Sequence, residues 1–151
     1  MAFAIWVDAD ACPVPIKTVI YRAADRLSVL ATFVANGFLT LPKSPFLRFQ
    51  QVDKGFDVAD HWIVQQLQPG DLVITQDVPL AAEVVELEGI ALNPRGTLYT
   101  QENVRELLMM RNAREAMRDT GEIRGGPAPF HAKDVQKFAQ ALDRFLAQRV
   151  R

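Results

Sequence analysis

A chain of 151 residues, 49% hydrophobic and 23% charged, has enough apolar sequence to bury one core, and no run in it reaches the length a membrane span needs. A net charge of −1 excludes binding of nucleic acid through overall basicity, and a single cysteine, Cys12, excludes an internal disulfide framework. The opening residues MAFAIWVD carry neither a basic n-region nor a cleavage site, so they read as a strand, and these features together point to the cytoplasm, with no membrane partner.

AFAIWV (2–7) is a short apolar run with aromatic and β-branched residues and reads as the first strand. Pro13 and Pro15 suit the first turn of a helix, where a missing N–H matters little, and Ile16, Val19, Ile20, Ala23, Ala24 and Leu27 continue it at helical spacing. SVLATFVA (28–35) is a second strand ended by Asn36-Gly37, and a loop with Pro42 and Pro45 leads to LRFQQV (47–52), a third. Asp57 starts a helix that Pro69-Gly70 stops after Gln68. DLVIT (71–75) reads as a buried parallel strand, Pro79 opens a helix that ends at Gly89, and IALN (90–93) is a fifth strand. A long helix runs from Thr100 to about Asp119, GEIRGGPAPFHAKD is a loop, and Val135, Phe138, Leu142 and Phe145 mark an amphipathic last helix. Strands alternating with helices predict an α/β fold, three-layer αβα, around a mostly parallel sheet of about five strands. The expectation is one domain over 1–151, with helices 100–120 and 134–148 packed on it.

In such sheets ligands bind beyond the carboxyl ends of the strands, near a topological switch point. Asp8 and Asp10 follow the first strand, Asp77 follows the fourth, and Asp53, Asp57 and Asp60 lie after the third or in the first turn of its helix. Like charges gathered on one edge repel, and a hard divalent cation relieves the repulsion. On a helical wheel Val58, Ala59, Trp62, Ile63 and Leu67 share one arc, with Asp60 at its border and Asp57 and His61 facing away. Asp57 is then best explained as an N-cap, and Asp60 ranks above it as a ligand. Asp10 and Asp77 each have a second reading as helix caps, and Asp53, before Lys54-Gly55, as a turn residue.

Cys12 has no cysteine or histidine at zinc spacing and reads as a small buried residue. Charge is uneven: residues 1–100 hold 7 Lys and Arg against 11 Asp and Glu, and residues 101–151 hold 10 against 7. This is either helix surface decoration or an acidic site flanked by a basic half that suits an anionic polymer. Arg124, Gly125, Gly126, His131 and Lys133 form either an anion cradle or a glycine-proline connector. Leu107–Met110 is a candidate patch for homodimer formation, or in part a core face.

The segments IWVDADACPVPIK, VDKGFDVADHWIV, GDLVITQDVPLA and RGGPAPFHAKD together resemble the YaiI/YqxD family of bacterial proteins, over nearly the whole chain. That family is placed in the PIN-like superfamily, whose better-known members are metal-dependent ribonucleases. The resemblance implies a PIN-like parallel sheet, an acidic Mg²⁺ or Mn²⁺ site and phosphodiester chemistry on RNA. It aligns Asp8 with the acid ending the first strand, Ala59-Asp60 with an AD-x-x-I helix start and Thr75-Gln76-Asp77 with a Thr-x-Asp strand end. A further acid, often Glu, that many PIN nucleases carry between these positions has no match, since residues 36–52 contain no acid; Asp10 or Asp53 are the stand-ins.

The leading expectation is a metal-dependent nuclease with Asp8, Asp60 and Asp77 as ligands, Asp10 binding metal through water or orienting the nucleophile, and Arg124 and Lys133 neutralising substrate phosphates. A non-catalytic, Mg²⁺-dependent module binding RNA or protein is the alternative. A phosphatase with Asp8 as nucleophile is a third reading, weakened because Asp71 precedes its strand.

Overall fold

Short apolar runs alternating with amphipathic stretches leave a sheet no choice but to bury both faces under helices. The computed structural model describes residues 3–55, 57–119 and 130–149. In chain order it forms β1 (Ile5–Asp8), a single-turn 3-10 helix (Ala9–Ala11), α1 (Val14–Leu27), β2 (Ala31–Ala35), β3 (Leu47–Gln51) and α2 (Val58–Gln66). There follow β4 (Leu72–Ile74), α3 (Val78–Glu86), β5 (Ile90–Leu92), β6 (Leu98–Tyr99), α4 (Gln101–Asp119) and α5 (Ala132–Arg149). Among these residues the strands make one six-stranded sheet, ordered β3-β2-β1-β4-β5-β6. Five strands are parallel, and β6 pairs antiparallel with β5 through Ala91 opposite Tyr99 and Leu92 opposite Leu98.

The α/β class and the mostly parallel sheet agree with expectation; the sixth strand was not expected. Two residues are too few to show a period of two. Their pairing comes from the turn before them, in which Asn93 N–H donates to the Thr97 carbonyl and Gly96 N–H to the Asn93 carbonyl, each at 2.8 Å. Gly96 has φ +94°, and a Cβ there would lie 2.8 Å from the backbone carbonyl carbon of Lys137. Both the turn and its close approach to α5 therefore need glycine.

Strand alternation sorts the core into two layers. Ile5, Val7, Ala31, Phe33, Leu72 and Ile74 face one side, where Ile16, Ile20, Ala23 and Ala24 of α1 and Phe138, Leu142, Phe145 and Leu146 of α5 meet them. Val34, Val73 and Ala91 face the other, against Ile63 of α2, Leu80, Ala81 and Val84 of α3, and Val104 of α4. Each fully buried Ile, Leu or Phe contributes about 1.5–3 kcal/mol. Cys12 is buried, and that burial pushes its thiol up to about 12, as expected of an inert packing residue. No helix among the described residues is long and apolar enough to cross a membrane.

Asp71 is 5% exposed at the amino edge of the sheet. Its carboxylate accepts from Ala4 N–H at 2.9 Å, Trp6 Nε1–H at 3.0 Å and Gln68 N–H at 3.0 Å, joining β1, β4 and the segment after α2. It is a structural acid at the opposite edge from Asp8 and Asp77, so it lends the phosphatase reading no support.

From β1 the chain builds β2 and β3 on one side, then crosses back through α2 to β4 and β5 on the other. The carboxyl ends of β1 and β4 flank the point where strand order reverses, which is where such sheets open a crevice.

Candidate metal centre

Each acid reaches that crevice by a separate local cause. Asp8 is the last residue of β1, two positions beyond Trp6, so the pleat turns it toward the α2–α3 layer. Asp77 follows β4 and is the N-cap of α3: its Oδ1 accepts from Leu80 N–H at 2.9 Å, which leaves its other oxygen available. The two readings of Asp77, cap and site residue, are thus compatible. Asp60 sits in the first turn of α2.

Asp57 departs from expectation. It has φ +62°, in the left-handed region, and its side chain makes no capping hydrogen bond. Released from the cap, its carboxylate joins the cluster: one oxygen from each of Asp57, Asp60 and Asp77 lies within 4.8 Å of the others. Its neighbour Asp8 is held from behind. Buried Thr75 donates from Oγ1 to Asp8 Oδ2 at 3.0 Å, and Thr75 Oγ1 itself accepts from Asp77 N–H at 2.9 Å. Gln76 Nε2 donates to the Ala11 carbonyl at 2.7 Å, which ties the turn after β4 to the turn after β1.

Asp10 is exposed, and its Oδ2 accepts from Asn36 N–H at 2.8 Å at the end of β2. With Asp53, Asp57, Asp60 and Asp77 it lines a cavity of about 270 Å³. His61 is exposed, as the wheel suggested. Lys133 lies exposed at the start of α5, with no hydrogen bond or ion pair to the cluster among the described residues, and Arg124 lies outside those residues.

Electrostatics confirm the crowding. Burial pushes Asp60 up to about 7, and the neighbouring charges of Asp77, Asp8 and Asp57 push it the same way, with a hydrogen bond to Asp77 favouring the protonated acid. Asp8 is raised chiefly by burial and further by Asp77 and Asp10, while the Thr75 hydrogen bond opposes the rise. Oxygen-only donors with this much unrelieved negative charge suit a hard cation, not zinc or copper. Geometry agrees. Two oxygens on opposite sides of one ion stand roughly 4.2 Å apart for Mg²⁺ and roughly 4.6–5.2 Å for Ca²⁺. Oxygens at right angles on Mg²⁺ stand closer, roughly 3.0 Å apart, so a triad within 4.8 Å draws in by up to about 1–2 Å to share one ion directly, or holds it in part through water.

Thr75→Val keeps shape and removes the hydroxyl. Metal affinity should fall about tenfold, as for loss of an outer hydrogen bond to a ligand set. The pH midpoint of metal binding should move upward, because the group opposing the rise at Asp8 is gone; calorimetric titration with Mn²⁺ across a pH series measures both.

The sequence left one basic wall unread. A second cavity, of about 530 Å³, shares Asp77 with the first and is lined by Arg95, Leu107, Met110, Arg111 and Arg114. Only the positive excess of the carboxyl-terminal half hinted at it.

Comparison with known proteins agrees with the motifs. The family described as "Uncharacterized BCR, YaiI/YqxD family" matches residues 6–148. A UPF0178 protein of Aeromonas hydrophila subsp. hydrophila is 58% identical over 142 residues, covering 94% of this chain and 95% of its own. Similar UPF0178 proteins from Marinobacter nauticus and Hahella chejuensis are 53% and 55% identical, over 97% and 95% of this chain and 98% and 96% of theirs. No solved structure matches.

Proposed function

The chain belongs to the YaiI/YqxD family, and we propose that it is a metal-dependent phosphodiesterase of PIN-like type, acting on RNA in the cytoplasm. The observation that carries this reading is the convergence of Asp57, Asp60 and Asp77 within 4.8 Å beside Asp8, at the sheet's switch point. Bound Mg²⁺ or Mn²⁺ would lower the pKa of a coordinated water and stabilise charge on the phosphate. Asp60 and Asp77 would be direct ligands, with Asp57 in the place of the acid that the PIN pattern lacks here. Asp8, oriented by Thr75, completes the set from the sheet side. Asp60 would give up its proton to hold the ion. Asp10, fixed by Asn36 N–H at the cavity, would orient the attacking water.

The test is direct. Purified protein is incubated with labelled single-stranded RNA and DNA oligonucleotides and Mg²⁺ or Mn²⁺, and products are resolved on a gel. Cleavage of RNA that stops with chelator is the expected result. Binding without turnover in both metals, with metal occupancy verified by calorimetry, would replace the enzyme by a non-catalytic binding module.

A further inference from the structure

We infer that the cleft between the turn after β4, the turn after β5 and α4 is a track for the phosphate backbone of single-stranded RNA, delivering the strand to the aspartate cluster. The inference rests on the phosphodiesterase reading for its purpose but on separate residues for its contacts.

Asp77 lines both cavities, so the larger cleft adjoins the cluster at that residue. Its far wall is α4, where Leu107, Arg111 and Arg114 recur at spacings of four and three and so share one face. Arg95, on the turn after β5, is anchored at 2.8 Å to Asp134 and lies over the Phe130 ring, which makes it a fixed part of the wall. Among the described residues Arg111 is held by Glu115, one turn on, at 3.1 Å; both side chains are substantially exposed, and such a pair exchanges readily for a phosphate. Arg114 is exposed at the same cleft.

The chemistry of the lining selects the occupant. Guanidinium groups pair with phosphate oxygens in bidentate fashion. Between them Leu107 and Met110 offer apolar surface, against which an unstacked base or ribose can rest. A duplex presents a wide, shallow minor groove and calls for a broad surface; a cleft of about 530 Å³ walled by one helix suits a single strand. Strand order gives the direction of travel: the cluster follows β1 and β4, and the arginine wall lies further along the same edge, beyond β5.

Two measurements separate this inference from the one beneath it. Anisotropy of a labelled single-stranded RNA in chelator reads the cleft without turnover. Hydrolysis of bis(p-nitrophenyl) phosphate with Mn²⁺ reads the cluster without the cleft. Three phosphate contacts predict that binding weakens roughly 18-fold between about 50 and about 200 mM salt, and only about threefold in Arg111→Gln/Arg114→Gln. The double variant should keep an unchanged thermal melt and unchanged hydrolysis of the small diester. Arg26→Gln, on α1 and paired with Asp143, should keep the wild-type salt dependence. An unaltered salt dependence in the double variant, an equal loss in Arg26→Gln, or no RNA binding in chelator overturns the track. Arginine-dependent RNA binding with no hydrolysis of either substrate upholds the track and removes the phosphodiesterase.

Discussion

Asp60→Asn is expected to weaken Mn²⁺ binding about tenfold or more and to abolish RNA cleavage, while making the metal-free protein more stable at neutral pH. The opposite signs follow from one cause. Asp60 is raised from an ordinary 3.8 to about 7, first by burial and then by the charges of Asp77, Asp8 and Asp57. Between about pH 4 and about pH 7 the folded chain keeps a proton there that the unfolded chain has released. Stability contributed by that proton is present at low pH and is lost as pH rises through about 7. Asparagine carries no charge to relieve. Since Asp60 is only half-buried, solvent screening leaves about 1–2 kcal/mol of the effect, or roughly 3–6 °C in Tm at pH 8. Wild-type metal affinity should climb as pH rises toward about 7 and then level off, as the Asp60 proton is displaced; in Asp60→Asn the climb should shrink to the part that Asp8 contributes. Thermal melts with and without Mn²⁺ across a pH series check all of this. A variant that loses stability at pH 8 in chelator would show that Asp60 has a structural role and no strained charge.

Asp71→Ala should have the largest effect on the fold, a loss of about 3–5 kcal/mol, or roughly 10–15 °C in Tm. The substitution strands three N–H donors, from Ala4, Trp6 and Gln68, around a site that is 5% exposed. Asp71→Asn should be intermediate, because its amide offers one acceptor oxygen and presents an N–H₂ to a ring of donors. Metal affinity below the melting range should stay at the wild-type value, since Asp71 belongs to the other edge of the sheet. Differential scanning calorimetry reads the first effect and Mn²⁺ titration the second; a Tm within about 2 °C of wild type would mean that water replaces the carboxylate.

Some of the site was legible because strand ends announce themselves. Asp8, Asp10 and Asp77 each follow an apolar run, and Asp60 breaks an otherwise apolar arc, so their common edge could be read from the pattern alone. Asp57 could not. Its ordinary reading as a cap fails because its backbone takes φ +62°, a conformation that no neighbouring residue type signals. The arginine wall was invisible for a similar reason. Arg111 and Arg114 look like the solvated face of a polar helix until α4 is laid beside the turn that carries Asp77. On α4 the Leu107–Met110 stretch also divides: Leu107 packs on the core, while Met109 and Met110 are 69% and 52% exposed.

By itself the amino-acid sequence determined the layers of this protein and the edge on which its acids gather. Periods of two and 3.6 depend on local geometry, and local geometry also makes a strand end a crevice. Tertiary structure decided which of those acids meet. Distances between carboxylates depend on strand order, on one left-handed residue before α2 and on the hydroxyl of Thr75 bridging Asp8 and the turn of Asp77. Strand order and the Thr75–Asp8 bond are not local, because each joins segments tens of residues apart.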